Sequence, residues 1–440
     1  MNNKKLIAIN LNEFNLEFLR YGAKKFNCIY IKKFLKLKKI KTFSSDLKQD
    51  KNLDPWVQSI SMNTGIRSNK HKIFNLGEKI PKRFIQIWDN LSANKNNCAV
   101  WGTMNTSFKN NENIKIFLPD PWNYQNSVKP HELENFYLLP REYAQNYTNF
   151  SVIKNFFKIF QLLIYLIKKL VFSNLIFLIP VSLNILFKKR TKNLLFFFLF
   201  NLISLKIFEK ISRKYNLNFS LVFLNSLAHF QHNNWDEKLS HKYYFYFTNQ
   251  LFKVIFNLSK RYDSMIIYNG FSQKKIIAEY MIRPKNPREF MRKIGIRFKS
   301  FHSNMTNGAI VSFGSKLDFK NAINILNNYN IFGYKFFELK IIKKNELFIR
   351  VQIRSKKNLA SKDVDLKKVK NLLFYEEKNK VLKKNINLMI NNFINSMVFI
   401  KTTSKHSPDG VLFYKGFEIK NKKIENIKIF NLINDYFKKK

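Results

Sequence analysis

Short apolar runs recur along the chain, and several of them end abruptly in polar side chains. Leu6-Ile7-Ala8-Ile9 reads as a buried strand, as do Cys98-Ala99-Val100-Trp101-Gly102, Leu221-Val222-Phe223-Leu224 and Ser264-Met265-Ile266-Ile267-Tyr268. Ala309-Ile310-Val311 and the alternating Leu347–Ile353 stretch add two more. Alternation of strands with helical segments predicts an α/β protein, with a central, mostly parallel sheet covered by helices on both faces. Between about 150 and 215 the pattern changes. Phe156 to Phe208 is dense in Phe, Leu and Ile, broken by Lys168-Lys169 and by Lys188-Lys189-Arg190-Thr191-Lys192. Its longest uncharged run, Leu170 to Phe187, has 18 residues and includes Asn174, Pro180 and Asn184. That length is at the lower limit for a bilayer span. Helices capping the main domain, an interfacial helix on anionic lipid and a true span all fit this stretch. The last residues, from Asn421, predict a basic amphipathic helix.

Candidate chemistry collects where strands end, because open α/β sheets place their sites beyond the carboxyl ends of strands. The run Leu221–Leu224 passes into Asn225-Ser226-Leu227-Ala228-His229-Phe230-Gln231-His232, which holds two of the chain's seven histidines. A helix starting there would put Asn225 and His229 on one face. A surface turn with two solvated histidines is the plainer alternative. After the first strand, Asn12 and Glu13 suit a metal or phosphate site, or else a helix N-cap with an acid in the first turn. Thr64-Gly65 presents a hydroxyl at a tight turn, in a loop that reaches His71; glycine supplies the backbone freedom such a turn needs. Asp120 lies in the rigid turn Pro119-Asp120-Pro121, Asn269-Gly270 ends another strand, and His406 precedes a late one.

Composition narrows the classes. A chain of 440 residues with 45% apolar content is long enough to bury one large core or two ordinary ones, and is globular. The net charge of +49 suits attraction to anionic substrates or membrane surfaces. Abundant Lys, Asn, Ile and Phe beside only 11 Gly and 10 Pro fit an AT-rich coding sequence. There is no arginine-rich tract and no nucleic-acid-binding signature, so nucleic acid is not an expected partner. Cys28 and Cys98 have no CxxC spacing, which excludes a zinc ribbon and makes a disulfide framework an unsuitable reading. The first residues lead directly into a strand with no signal-peptide pattern, so the expected location is cytoplasmic, with the inner face of the membrane as an alternative.

In order along the chain, these pieces resemble the alkaline phosphatase superfamily, in its type I phosphodiesterase/nucleotide pyrophosphatase branch. That resemblance covers residues 1–125 and 216–440 as the α/β core, with 126–215 as a helical cap or membrane-surface insertion. It places Asn12 where a metal-ligating Asp ends the first strand, and Thr64 as the nucleophile, followed by Gly65. His71-Lys72-Ile73 stands for His-Gly-Ile, Asn225-x-x-x-His229 for Asp-x-x-x-His, and Asn269-Gly270 for Asp-His; His406 matches the late histidine. Gly65, His71 and Asp120 then lie beside the substrate.

Three ligating carboxylates of the family are Asn here, and one histidine is Gly270. The resemblance therefore implies one divalent ion rather than two, held by Asn225, His229 and His406, with His232 as a further nitrogen. A second site would have only Asn12, Asn269 and Thr64, with Glu13 or Asp120 as substitutes. Amide oxygens are weak ligands for zinc and suit harder ions, so zinc, manganese, calcium and magnesium all stay open. The implied activity is hydrolysis or transfer of a phosphate or sulfate ester, with a small anionic ester or a phosphorylated or sulfated glycan as partner. A catalytically degenerate protein binding an anionic glycan, nucleotide or lipid is the second reading, and a basic membrane-surface protein the third. The sequence does not set the oligomeric state.

Overall fold

The computed structural model describes residues 4–46, 53–123, 128–146, 150–151, 153–169, 192–303, 308–331, 334–351, 354–355 and 396–438. The uncharged run 170–187 lies outside them.

The early apolar runs form β1 (Leu6–Leu11), β3 (Cys98–Thr103), β5 (Phe219–Leu224) and β6 (Ser264–Asn269), and two strands not marked by such runs join them, the lysine-rich β2 (Lys38–Phe43) and β4 (Ile114–Pro119). Strands β7 (Ser272–Pro284), β8 (Ser300–Ser303), β9 (Gly308–Ser312), β10 (Asn330–Ile331), β11 (Tyr334–Lys335), β12 (Phe337–Lys343), β13 (Glu346–Val351), β14 (Arg354–Ser355) and β15 (Met397–Ser407) follow. The chain then returns through β16 (Asp409–Lys415) and β17 (Lys423–Glu425). The main sheet has the order β17-β2-β16-β6-β1-β5-β3-β4. From β6 to β4 every pairing is parallel; only β16 runs against its neighbours β6 and β2. β1 is therefore a central strand, hydrogen-bonded on both edges to β5 and β6.

The period-2 pattern of these strands serves two cores, as a sheet buried on both faces requires. Ile7, Ile9 and Leu11 of β1, Val222 and Leu224 of β5, and Met265 and Ile267 of β6 face one cluster. Leu6 and Ala8, Phe219 and Leu221, and Ile266 and Tyr268 face the other. Covering the first are helices α1 (Leu16–Lys25) and α2 (Ile29–Leu35). The opposite face is covered in part by α3 (Pro55–Thr64), which is followed by the single turn α4 (Ser68–His71), and by α5 (Ile87–Ala93). Beyond these come α6 (Glu134–Asn146), α7 (Phe156–Lys168), α8 (Lys192–Ser212), α9 (Ser226–Asn234) and α10 (Lys238–Ser259), all on the first face. α11 (Pro287–Lys293) and α12 (Lys316–Asn328) lie in a second unit, and the terminal α13 (Lys428–Lys438) packs Ile429, Ile433 and Phe437 against the second core.

The chain divides into two compact units: Met1–Arg141, Val152–Lys275 and Ser404–Lys440 in one, Glu142–Ser151 and Ile276–Thr403 in the other. This division does not follow the 126–215 boundary drawn from the sequence. α8, inside that stretch, is a core helix: Phe198, Leu202, Leu205, Phe208 and Ile211 are fully buried, and Trp101 Nε1 donates to Ser204 Oγ at 2.7 Å. Density in Phe and Leu there reflects burial against the sheet. Among the described residues no helix is long and apolar enough to cross a membrane. The second unit interrupts the expected 216–440 core because its antiparallel sheet, β12-β13-β9-β8, has a hydrophobic cluster of its own, including Phe301, Val311, Leu326 and Leu347.

Gly22 of α1 tests the first core. A Cβ there would lie 1.9 Å from Cε1 of Phe245, which is fully buried and packed against Phe18 and Phe26. Gly→Ala in a helix gains up to about 1 kcal/mol of propensity, whereas overpacking a tight core costs about 1–3 kcal/mol. Gly22→Ala is therefore expected to destabilise by about 1–2 kcal/mol, read as a lower urea midpoint; an unchanged or raised midpoint would show that Phe245 has room to move.

Candidate metal centre

The loop leaving β1 carries Asn12 and Glu13, and Glu13 adopts φ 49°, a left-handed conformation that non-glycine residues seldom take. Its side chain is 1% exposed. A carboxylate cannot be buried so deeply without donors, and four residues supply them. Glu13 Oε1 accepts from Asn12 Nδ2 at 2.9 Å, and Oε2 accepts from Gln273 Nε2 at 2.7 Å. Two imidazoles complete the set: His232 Nε2 lies 3.0 Å and His406 Nε2 3.1 Å from Oε2. Gln231, fully buried, donates from Nε2 to the Glu13 carbonyl at 3.2 Å and accepts from Asn15 N at 2.9 Å, which fixes the loop's backbone.

Each partner comes from the carboxyl end of a neighbouring strand or from β15. Glu13 follows β1, His232 stands on α9 after β5, Gln273 opens β7 just after β6, and His406 is near the end of β15. His232 and His406 keep 31% and 23% of their side chains exposed, so the cluster opens to solvent above a buried carboxylate. The outer imidazole atoms are also engaged. Ser404 Oγ lies 3.1 Å from His232 Nδ1 and donates to Gln273 Oε1 at 2.8 Å. Asp54, at the N-cap of α3, places Oδ1 4.0 Å from His406 Nδ1.

Burial works against Glu13's charge, but His406 and His232 outweigh it and hold the carboxyl well below the usual carboxylate range. Burial likewise disfavours the charged form of His406; the Glu13 carboxylate, with Asp54 behind it, reverses this and raises its pKa above that of ordinary histidine.

One carboxylate and two imidazoles form the donor set of many catalytic sites for zinc and other transition metals. The three ligand atoms lie within 4.8 Å of one another. The 3.0 and 3.1 Å separations are close to the roughly 3.3 Å edge of a tetrahedral site with metal–ligand bonds near 2.0–2.1 Å. The Ser404 hydroxyl on the far side of the His232 ring matches the support that a ligating histidine needs, while Asp54, at 4.0 Å from His406 Nδ1, acts on that ring through its charge. These residues fit one divalent ion.

The structure places the other sequence-predicted residues differently. Asn225 Oδ1 accepts from Asn12 Nδ2 at 2.7 Å, so these two amides bond to each other beside the cluster. His229 is not in the cluster: its ring stacks on Phe197 of α8 at 3.5 Å, and burial, then His232, push its pKa down to about 3. Asn269 spends its amide on the backbone, donating to Phe14 O and accepting from Val411 N, each at 2.7 Å. Thr64 ends α3, where Oγ1 donates to Ile60 O at 2.7 Å, and Gly65 (φ 71°) caps that helix. Asp120 lies at the ends of β3 and β4, accepting from the backbone N–H groups of Trp122 and Asn105; burial pushes its pKa up to about 7. In this structure Thr64, Gly65, Asp120, His229 and Asn269 thus make helix-cap, turn, stacking or backbone contacts, outside the cluster of Glu13, His232 and His406. Sequence reading missed Gln273, Ser404 and Asp54. Their only signal was position, two in stretches already marked by Asn269 and His406 and one opening the helix that ends in Thr64.

No family model matches the chain, and no curated protein matches it. Its neighbours among solved structures lie in the alkaline phosphatase superfamily. Murine ectonucleotide pyrophosphatase/phosphodiesterase 5 superposes with a TM-score of 0.43 at 7% identity, over 99% of this chain and 96% of that one. The human protein gives 0.42 at 8% identity, with the same 99% and 96% coverage. Phosphonoacetate hydrolase from Sinorhizobium meliloti 1021, in complex with phosphonoformate, gives 0.42 at 7%, also over 99% and 96%. At such similarity the chemistry rests on the residues of this chain.

His71 has a structural role that pH exposes. Its Nδ1 accepts from Ile73 N at 3.0 Å, so the proton sits on Nε2, 3.1 Å from Ser61 Oγ. Burial lowers its pKa from 6.5 to about 4, with Asp46 opposing. Below about pH 6.5 the unfolded chain takes up a proton that the folded protein refuses, so stability falls as pH drops from about 6.5 towards 4. The contribution is about 3 kcal/mol in all. Urea midpoints measured from pH 7 to 4 should fall less steeply in His71→Gln; parallel profiles would show that His71 carries its proton in the fold.

Proposed function

We propose that the protein hydrolyses a phosphate ester, using one divalent ion held by Glu13, His232 and His406. The observation that carries this reading is the convergence of Glu13 and His232, beyond the carboxyl ends of the adjacent parallel strands β1 and β5, with His406 of β15, around a loop residue in strained backbone. When bound, the ion would supply the positive charge that stabilises an anionic oxygen in the transition state. Asn12 and Gln273 hold the carboxylate of Glu13, Ser404 orients the His232 ring, and Asp54 lies behind His406 as a further negative charge. Two nitrogens and one carboxylate favour zinc or manganese over calcium or magnesium. The net charge of +49 favours a small anionic ester, and a sulfate ester is the chemical neighbour to screen beside it.

Thr64 does not take the nucleophile's role in this reading. Its hydroxyl is committed to a helix carbonyl, and it lies roughly 15 Å along α3 from Asp54, the end of the helix nearest His406.

A second reading, a catalytically degenerate protein binding an anionic ligand, is favoured by one observation. Both oxygens of Glu13 already accept protein donors, so the cluster is satisfied as it stands.

Elemental analysis of gently purified protein is expected to find about one divalent ion per chain, lost in His232→Ala/His406→Ala. Glu13→Gln should lower kcat/KM on an aryl phosphodiester by about 100-fold or more, with Thr64→Ala within a few-fold of wild type. Turnover that survives Glu13→Gln and vanishes in Thr64→Ala would reverse these assignments. No bound metal in wild type, or bound metal with no turnover on phosphodiesters, phosphomonoesters or sulfate esters, would select the second reading.

A further inference from the structure

Helix α7 has an apolar face that is exposed among the described residues. Of its residues only Tyr165 and Leu166 are buried. Ile153, just before it, is 88% exposed; Phe156, Phe157 and Phe160 are 60%, 79% and 53% exposed, and Ile167 60%. With Leu163 and Ile164, also exposed, they recur every three or four residues and fall in one arc roughly 120° wide. Buried Tyr165 and Leu166 lie on the other side, so the helix is anchored by one face and presents the other to solvent.

The charge along this segment of the sequence is of one sign, although Glu132, outside it, pairs with Lys169 at the end of α7. From Tyr143 to Phe208 the sequence has no Asp or Glu and nine Lys or Arg. Lys154 and Lys168 are exposed at the two ends of the stripe. An apolar arc carrying Phe, bordered by lysines, is what a helix lying in the headgroup region of an anionic bilayer requires: the rings enter the acyl boundary and the ammonium groups meet lipid phosphates. Pairing with a second copy would instead bring the same lysines together across a two-fold axis, with no acidic residue in the segment to offset them.

We propose that α7 docks the protein on an anionic membrane surface, with Phe156, Phe157, Phe160, Ile164 and Ile167 inserted between headgroups. This is peripheral association, without a span, and independent of the metal centre.

The test is co-sedimentation of the full chain with vesicles of phosphatidylcholine, alone or mixed with phosphatidylglycerol, at low salt and at salt that screens exposed charges. Wild type should bind the mixed vesicles and retain part of that binding at high salt. Phe157→Glu/Phe160→Glu/Ile164→Glu should lower the partition by about tenfold or more, with an unchanged melting temperature. Ile29→Glu/Ile85→Glu/Leu239→Glu makes the same change in net charge at other exposed positions and should bind as wild type does. Phe157→Ser/Phe160→Ser removes the rings without adding charge and should also weaken binding. Equal losses in the two glutamate variants would reduce the effect to net charge and overturn the proposal. So would an absence of vesicle binding by wild type. A wild-type dimer that dissociates only in the stripe variants, without vesicle binding, would assign the face to a second copy and also overturn it.

Discussion

Burying one carboxylate organises the site. Glu13 is 1% exposed at the end of the central strand β1, and a bare carboxylate there would cost several kcal/mol. Two imidazoles and two amides converge on it, and each comes from a different part of the chain: residue 12, residue 232, residue 273 and residue 406. The convergence holds together β1, the α9 helix, the start of β7 and the end of β15. It leaves two imidazole rings partly exposed to solvent, which turns a structural necessity into a candidate metal centre.

The sheet explains why those segments meet. β5, β1 and β6 run parallel side by side, so their carboxyl ends open onto one edge. Alternating residues of each strand are buried in two separate cores, so a register slip of one residue would exchange the two faces. That constraint holds the loop after β1 in place tightly enough to sustain Glu13 at φ 49°.

The stretch between the two halves of this sheet has two roles. α8 contributes fully buried residues to the first core, and its Phe197 stacks on His229, which lies outside the cluster of Glu13, His232 and His406. α7 keeps only a narrow buried edge. One apolar composition therefore yields a core helix and a surface-active one, and the difference is set by which face finds the sheet.

Much of the fold was legible in the sequence because burial on both faces leaves continuous apolar runs, and those runs appear as β1, β3, β5 and β6. The polar ends of these runs marked the site's edge and named Glu13 and His232, while His406 was named from its place before a late strand. Ranking them was beyond the sequence. Helical spacing favours Asn225 with His229, but the ring of His229 goes to Phe197, a long-range neighbour, and His232 is the residue that faces Glu13. Thr64 before a glycine reads alike at a nucleophile turn and at a helix C-cap; only the hydrogen bond to Ile60 separates them. The sequence alone determined β1, β3, β5 and β6, the two-faced sheet and the residue types available to bind an ion; β2 and β4, the one lysine-rich and the other running into a proline turn, were not legible in it. Tertiary structure decided which of them share a site, because that depends on contacts spanning hundreds of residues that local spacing does not encode.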